Sequence, residues 1–432
     1  MTTKSIQTAA FVCALSASAA HAQTTVRLTL DEALARATEA SHKLAEATAR
    51  EAGAQASIRV RQAADQPTLT ASGGYTRTNH VQAFGVLQPI GGIRVIYPDI
   101  PDNFVSRLSF QWPIYTGGRT DALQRAAAAE AGAAAADVQV ARADLRLEVA
   151  RVYWALATAT ESVRVLAQAV ERADAHVRDV RSRFDIGLIP PNEVSSAESQ
   201  RSRQQLQLIE ARNLWSSVLE ELRRLTGITA DIEPVEPLAL APLHALAADS
   251  TGARAERQAL VDRITAADER RRAVEAGRKP SVAVNGAVDY ANPNTRIFPR
   301  ADDWRESWEI GVTANYTLWD GGRVAAETAE AAAVVTVTRA RLAELDSLIA
   351  LDVRQRVLDA DSARAALVAA ADAVRSAEEA RRVVVERFNV GVATSTDVLD
   401  AQVALLQAEL DRTRALANIR LADARLDRAL GR

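Results

Sequence analysis

The 432-residue sequence predicts a mainly α-helical protein with a small β part, built as an internal duplication. Three observations carry that prediction: a helix-forming composition, a heptad seam far longer than an ordinary helix, and two motifs repeated at one fixed offset. Aromatic residues make up only 4% of the chain, while Ala, Arg and Leu are abundant, as in long helices.

The N-terminal 22 residues hold one charge, Lys4, then an apolar run from Ala9 to Ala20 and the small-x-small triplet Ala20-His21-Ala22. This is the pattern of a secretory signal peptide, so the mature chain is expected to begin at Gln23. Cys13 lies inside the apolar run, with Val12 and Ala10 before it, and does not fit a lipoprotein signal. It is the only cysteine, so the mature chain is expected to use no disulfide and no thiolate metal site. Removing Lys4 moves the formal charge from -3 to -4, a mild value that argues against a nucleic-acid partner. No later segment reaches the roughly 18 to 20 apolar residues of a membrane-spanning helix, so entry into a membrane would have to use strands.

Pro113-Ile-Tyr-Thr-Gly-Gly-Arg119 is echoed by Thr317-Leu-Trp-Asp-Gly-Gly-Arg323, an offset of 204. Arg183-Phe-Asp-Ile-Gly187 and Arg387-Phe-Asn-Val-Gly391 share the same offset, as do Val194 and Ala197 with Val398 and Ala401. Two unrelated motifs at one spacing indicate duplication. Gln66-Pro67 and Lys279-Pro280 sit 213 apart, so the halves differ in length between their first strand and Gly-Gly-Arg, where a variable loop is expected.

Between Arg119 and Phe184, Leu145, Val149, Val152, Leu156, Ala159, Val163, Leu166, Val170, Ala173, Val177, Val180 and Phe184 alternate spacings of four and three. That is a heptad seam, and ten of the twelve positions shifted by 204 are apolar, the exceptions being Arg356 and Arg381. Both halves should therefore supercoil left-handed. The spacing predicts long helices over 119–184 and 323–388, each about 99 Å at 1.5 Å per residue. Shorter helices are expected over Asp31–Gln66, Val194–Thr226, Thr251–Lys279 and Thr396–Leu430, laid end to end against the long ones. The first structural repeat is thus 23–226, with a tip at 185–193, and the second is 251–432, with a tip at 389–395. Residues 227–250, with Pro234, Pro237 and Pro242, read as the linker.

Strand pairs are expected at 67–115 and 280–319. Val282, Val284, Gly286, Val288 and Tyr290 alternate with Ala283, Asn285, Ala287 and Asp289, and Trp308, Ile310, Val312, Ala314, Tyr316 and Leu318 alternate with polar or small residues. Leu69 to Tyr75 and Arg107 to Ile114 repeat the pattern more weakly. Each strand could cross a bilayer when tilted, although a soluble sheet covering helices would show the same alternation. Tyr115 and Trp319 immediately precede the Gly-Gly turns and Trp304 opens the fourth strand, places suited to a membrane-interface belt. Four strands cannot close a barrel, so a membrane barrel would need two or three chains to pool them.

The duplicated long helix, the paired strands and the Arg-Phe-x-x-Gly turns resemble the TolC family of outer-membrane efflux and secretion channels, and the resemblance covers essentially the whole mature chain. It implies a homotrimer with a shared 12-stranded transmembrane β-barrel and a coiled-coil helical barrel reaching through the periplasm. It further implies an outer-membrane exit duct of a tripartite efflux pump or type I secretion system, with a periplasmic adaptor (membrane fusion) protein and an inner-membrane transporter as partners. The adaptor-contact role of Ile186, Gly187, Leu188, Val390, Gly391 and Val392 comes from the resemblance, and exposed apolar residues at a hairpin tip independently suggest docking. Glu193 aligns with a tip carboxylate of the family, whereas Phe388 and Ala393 stand where the best-known member has a gating Tyr and Arg. Asp397 and Asp400 would form acidic gate rings in a trimer. The alternative is that they sit in the positive first turn of a helix capped by Ser395 or Thr396.

His42, His80, His176 and His244 are scattered and no phosphate-cradling loop occurs, so no catalytic, cofactor or metal site is expected. The rival to a passive channel gated at its periplasmic tips is a soluble periplasmic coiled-coil scaffold or adaptor, which would have no reason to carry bilayer-length strands with one apolar face.

Overall fold

A computed structural model describes residues 26–235 and 254–432. The expected signal peptide and linker residues 236–250 lie outside the described residues. In chain order the first half contains β1 (Val26–Leu28), α1 (Leu30–Ala40), α2 (His42–Ala63), β2 (Thr68–Arg77), β3 (Phe84–Leu87), β4 (Ile93–Tyr97), β5 (Asp102–Tyr115), α3 (Arg119–Asp185), α4 (Pro191–Thr226) and β6 (Ile232–Pro234). The second contains α5 (Ala255–Glu275), a 3-10 turn at Ala276–Arg278, β7 (Ser281–Asn292), β8 (Arg305–Asn315), α6 (Arg323–Asn389) and α7 (Ser395–Ala429).

Several expectations are corrected. The single helix over Asp31–Gln66 is two helices, because Ser41 is extended (φ -73°, ψ 111°) and its hydroxyl accepts the Leu44 N–H at 3.2 Å, starting a new helix. The described residues hold more than four strands. β3 and β4 form a hairpin inside the longer loop of the first half, and β6, within the stretch read as linker, pairs in parallel with β1. The helix expected from Val194 starts at Pro191, whose missing N–H costs nothing in the first helical position. Trp304 precedes β8 rather than opening it, and β8 ends at Asn315, before Leu318 and Trp319.

The described residues fall into two compact units. One comprises 26–40, 148–235 and Ser362–Leu421; the other comprises Ser41–Leu147, 254–361 and Ala422–Arg432. In the first unit the seam of α3 is the core: Val149, Val152, Leu156 and Val180 are at most 1% exposed. Val165, Leu166 and Ala169 pack with Leu208 of α4 and Leu406 of α7, and Leu367 of α6 packs with Ala415 and Ile419 of α7. The buried Tyr153 hydroxyl donates to the Leu28 carbonyl at 3.0 Å, tying β1 to α3. Gly227 ends α4 at φ 69°, its N–H donating to the Arg223 carbonyl.

In the second unit β2, β5, β7 and β8 form one antiparallel sheet in the order β2-β5-β7-β8. Beside it α5 lies against α3 through Arg125 and Glu269 (2.8 Å), and against α6 through Arg257 and Asp346 (2.9 Å). Strand passes to long helix at two Gly-Gly turns of one geometry: Gly117 and Gly118 have φ 68° and 88°, and Gly321 and Gly322 have φ 66° and 85°.

These turns are equivalent in the backbone but not in their surroundings. A Cβ at Gly117 would lie 2.8 Å from the Lys279 Cβ and 3.1 Å from the Ala276 carbonyl, whereas at Gly321 nothing lies within 4 Å. Gly321→Ala is expected to cost roughly 1–2 kcal/mol from the left-handed backbone alone. Gly117→Ala should cost more, read as a larger drop in the urea midpoint of unfolding. Equal losses would show that the 276–279 turn yields without resistance.

Candidate functional site: the hairpin tips and the sheet faces

The two tips share one construction. At the end of α3 the Gly187 N–H donates to the Phe184 carbonyl (2.8 Å) and Leu188 N–H to Arg183 (2.9 Å). At the end of α6 the Gly391 N–H donates to Phe388 (3.0 Å) and Val392 N–H to Arg387 (2.9 Å). This is the Schellman pattern, with Gly187 and Gly391 at φ 77° and 81° as it requires. Each turn presents apolar side chains outward: Ile186, Leu188, Val390 and Val392 are all exposed.

Within the first unit the hairpins pack on each other. Val177, Val180, Ala197, Phe388 and Val398 form a buried cluster, with Ile189, Val194, Val384, Val385 and Ala393 around it. Arg183 closes the cluster. Its guanidinium lies 4.1 Å from the centre of the Phe388 ring, donates to the Phe388 carbonyl at 3.0 Å and to Asn389 Oδ1 at 3.3 Å. Below it the buried His176 Nε2 hydrogen-bonds the Ser395 Oγ at 2.9 Å, and Ser395 is wholly buried. The heptad pattern places Phe184 and Phe388 alike, but Phe388 is 4% exposed and Phe184 41%.

Asp397, in the first turn of α7, and Asp400, one turn on, are exposed, and Glu193 in the first turn of α4 is half-buried. The cap of α7 is Thr394, not Ser395 or Thr396. Its N–H and hydroxyl both donate to Asp397 Oδ2 at 2.8 Å, while its Oγ1 accepts the Asp397 N–H at 3.2 Å. That reciprocal capping box is legible in the sequence as Thr-x-x-Asp. The Thr394 N–H, then its hydroxyl, hold the Asp397 carboxyl below the usual range. Arg183, His176 and Ser395 are the tip residues that sequence reasoning missed as a group, since only the fold brings them together.

The sheet has two unlike faces. Leu69, Leu108, Val288, Ile310 and Val312 are exposed on one. On the other, Arg107 bridges Asp289 (2.9 Å) and Glu309 (3.0 Å), and Asn285 donates to Thr313 at 3.0 Å. Aromatic residues gather towards both ends. Trp304 stacks on Tyr290 (5.0 Å) near Phe104 and Tyr75, and Tyr115 and Trp319 are exposed towards the other end. Each outer strand, β2 and β8, is paired on one side only among the described residues. No described helix is long and apolar enough to cross a membrane.

Burial holds the His176 imidazole below its ordinary value, opposed by Asp179 and reinforced by Arg183. The unfolded chain, titrating near pH 6.5, then binds the proton more readily than the folded one. The stabilisation is complete above about pH 6.5 and is lost as the pH falls through that value towards the native one. Amide exchange at the tips, corrected for intrinsic rates, should therefore quicken between about pH 7.5 and about pH 5.5. The change should vanish in His176→Phe; an unchanged pH response in that variant would assign it elsewhere.

The family model described as outer membrane efflux protein matches residues 33–228 and 253–432. The outer membrane protein TolC of Vibrio cholerae serotype O1 is 25% identical over 318 residues, covering 70% of this chain and 72% of that protein. Among solved structures, the outer membrane protein VceC of Vibrio cholerae aligns with a TM-score of 0.77 at 22% identity, over 93% of this chain and 96% of that one. The open state of the Neisseria gonorrhoeae MtrE outer membrane channel aligns with a TM-score of 0.78 at 18% identity, over 93% and 88%. With the family matched in both halves, over most of the sequence, this chain belongs to the outer membrane efflux proteins, conduits of the outer membrane rather than enzymes.

Proposed function

We propose that the protein is the passive exit duct of a tripartite efflux or secretion machine, assembled as a homotrimer and reaching from the outer membrane into the periplasm. One observation carries the reading: a four-stranded sheet apolar on one exposed face, polar on the other and, among the described residues, open at both edges. In lipid an open edge leaves backbone groups unsatisfied at several kcal/mol each. Three chains pooling four strands apiece close a 12-stranded barrel, with Arg107, Asp289 and Glu309 turned to a wet lumen and Tyr115, Trp304 and Trp319 at the lipid interfaces.

In this reading residues 23–226 and 251–432 are two copies of one structural repeat joined by 227–250. Ile186, Gly187, Leu188, Val390, Gly391 and Val392 meet a periplasmic adaptor, which connects to an inner-membrane transporter. Asp397 and Asp400, three apart on α7, and Glu193 on α4 stand at the gate, which opens by rigid-body movement of the packed hairpins. The energy for transport is spent at the inner membrane.

Fractionation of tagged cells followed by chemical cross-linking should recover the protein from the outer membrane as a trimer; a soluble monomer would defeat the proposal. In planar bilayers, Asp397→Ala with Asp400→Ala should weaken cation preference, and an unchanged reversal potential would remove these residues from the conduction path.

A further inference from the structure

The contact at the tips is one-sided, and the duplication says what its other half meets. Within one chain Arg183 of the first hairpin lies over Phe388 of the second, donating to the Phe388 carbonyl and to Asn389. That contact uses the arginine of the first Arg-Phe motif and the phenylalanine of the second. Shifting by 204 places Arg387 where Arg183 stands, Phe184 where Phe388 stands, and Asp185 where Asn389 stands. All three are exposed, with Phe184 at 41% against 4% for Phe388. The pair outside that contact is complementary: a guanidinium on one hairpin, an aromatic ring with an adjoining carboxylate on the other.

We infer that Arg387 of one copy packs over Phe184 of a second copy of this chain and pairs with its Asp185. The inference rests on the proposed assembly and names a contact that holds it together. Joining the arginine side of one chain to the phenylalanine side of the next is a head-to-tail interface, the kind that builds a ring where its rotation closes, as in the proposed trimer. The tips then alternate two latches of one design, Arg183 on Phe388 and Asn389 within a chain, and Arg387 on Phe184 and Asp185 between chains. Because the second meets a carboxylate where the first meets an amide, the between-chain latch is charge-assisted.

The test uses the full chain with Cys13→Ala, which leaves no other cysteine. Chains carrying Asp185→Cys and chains carrying Arg387→Cys, differently tagged, are expressed together and oxidised in membranes. A disulfide-linked dimer bearing both tags is expected, with no dimer from either chain alone. Phe184→Cys in place of Asp185→Cys should give the same pattern, and Arg183→Cys with Asn389→Cys on one chain should close without joining chains. If a chemical cross-linker captures the outer-membrane oligomer but neither mixed pair forms a disulfide, the latch is wrong and the assembly stands. If no oligomer is captured at all, both fall.

Discussion

A helix standing outside a globular core can bury only a stripe of its surface, and this constraint governs the first unit. The stripe on α3 keeps positions such as Val149 and Leu156 free of solvent over successive turns, and α4 and α7 pack on it. Ion pairs are abundant along the rods, but most are solvated and worth at most about 1 kcal/mol each. Even Arg172 and Glu409, among the better covered at 23% and 19% side-chain exposure, border the buried cluster rather than replace it. The seam therefore sets which helices meet, and the charges keep the remaining faces in water.

The sheet answers a different constraint. Its exposed apolar face suits an environment without water, while its other face carries charges that must be satisfied internally or by solvent. Arg107 meets that need by bridging carboxylates on two neighbouring strands, β7 and β8. One arginine thereby couples three strands in register, on the face where alternation places Asn285 and Thr313 as well.

Periodic features were legible in the sequence because they depend on repetition. The long helices end within a residue of their expected limits, and the Gly-Gly turns adopt paired geometries that the repeated motif implies. What escaped notice depends on single residues or on distant partners. Ser41 divides a helix through one hydroxyl, and β1 and β6 are too short to show a period and find each other only through the fold. His176 looked like one of several scattered histidines until α7 brought Ser395 to its ring. Phe184 and Phe388 share a motif and a heptad position, so periodicity could not reveal that one is covered by Arg183 and the other open.

The Thr394 cap has a consequence beyond starting α7. By giving its amide and hydroxyl to Asp397, it holds that carboxyl below its ordinary value and favours its ionised form. The negative charge at this hairpin is thus favoured by the same two donors that start the helix. The titrating group nearby is instead sequestered under an aromatic ring, so surface charge and buried protonation are governed by separate residues of the same tip.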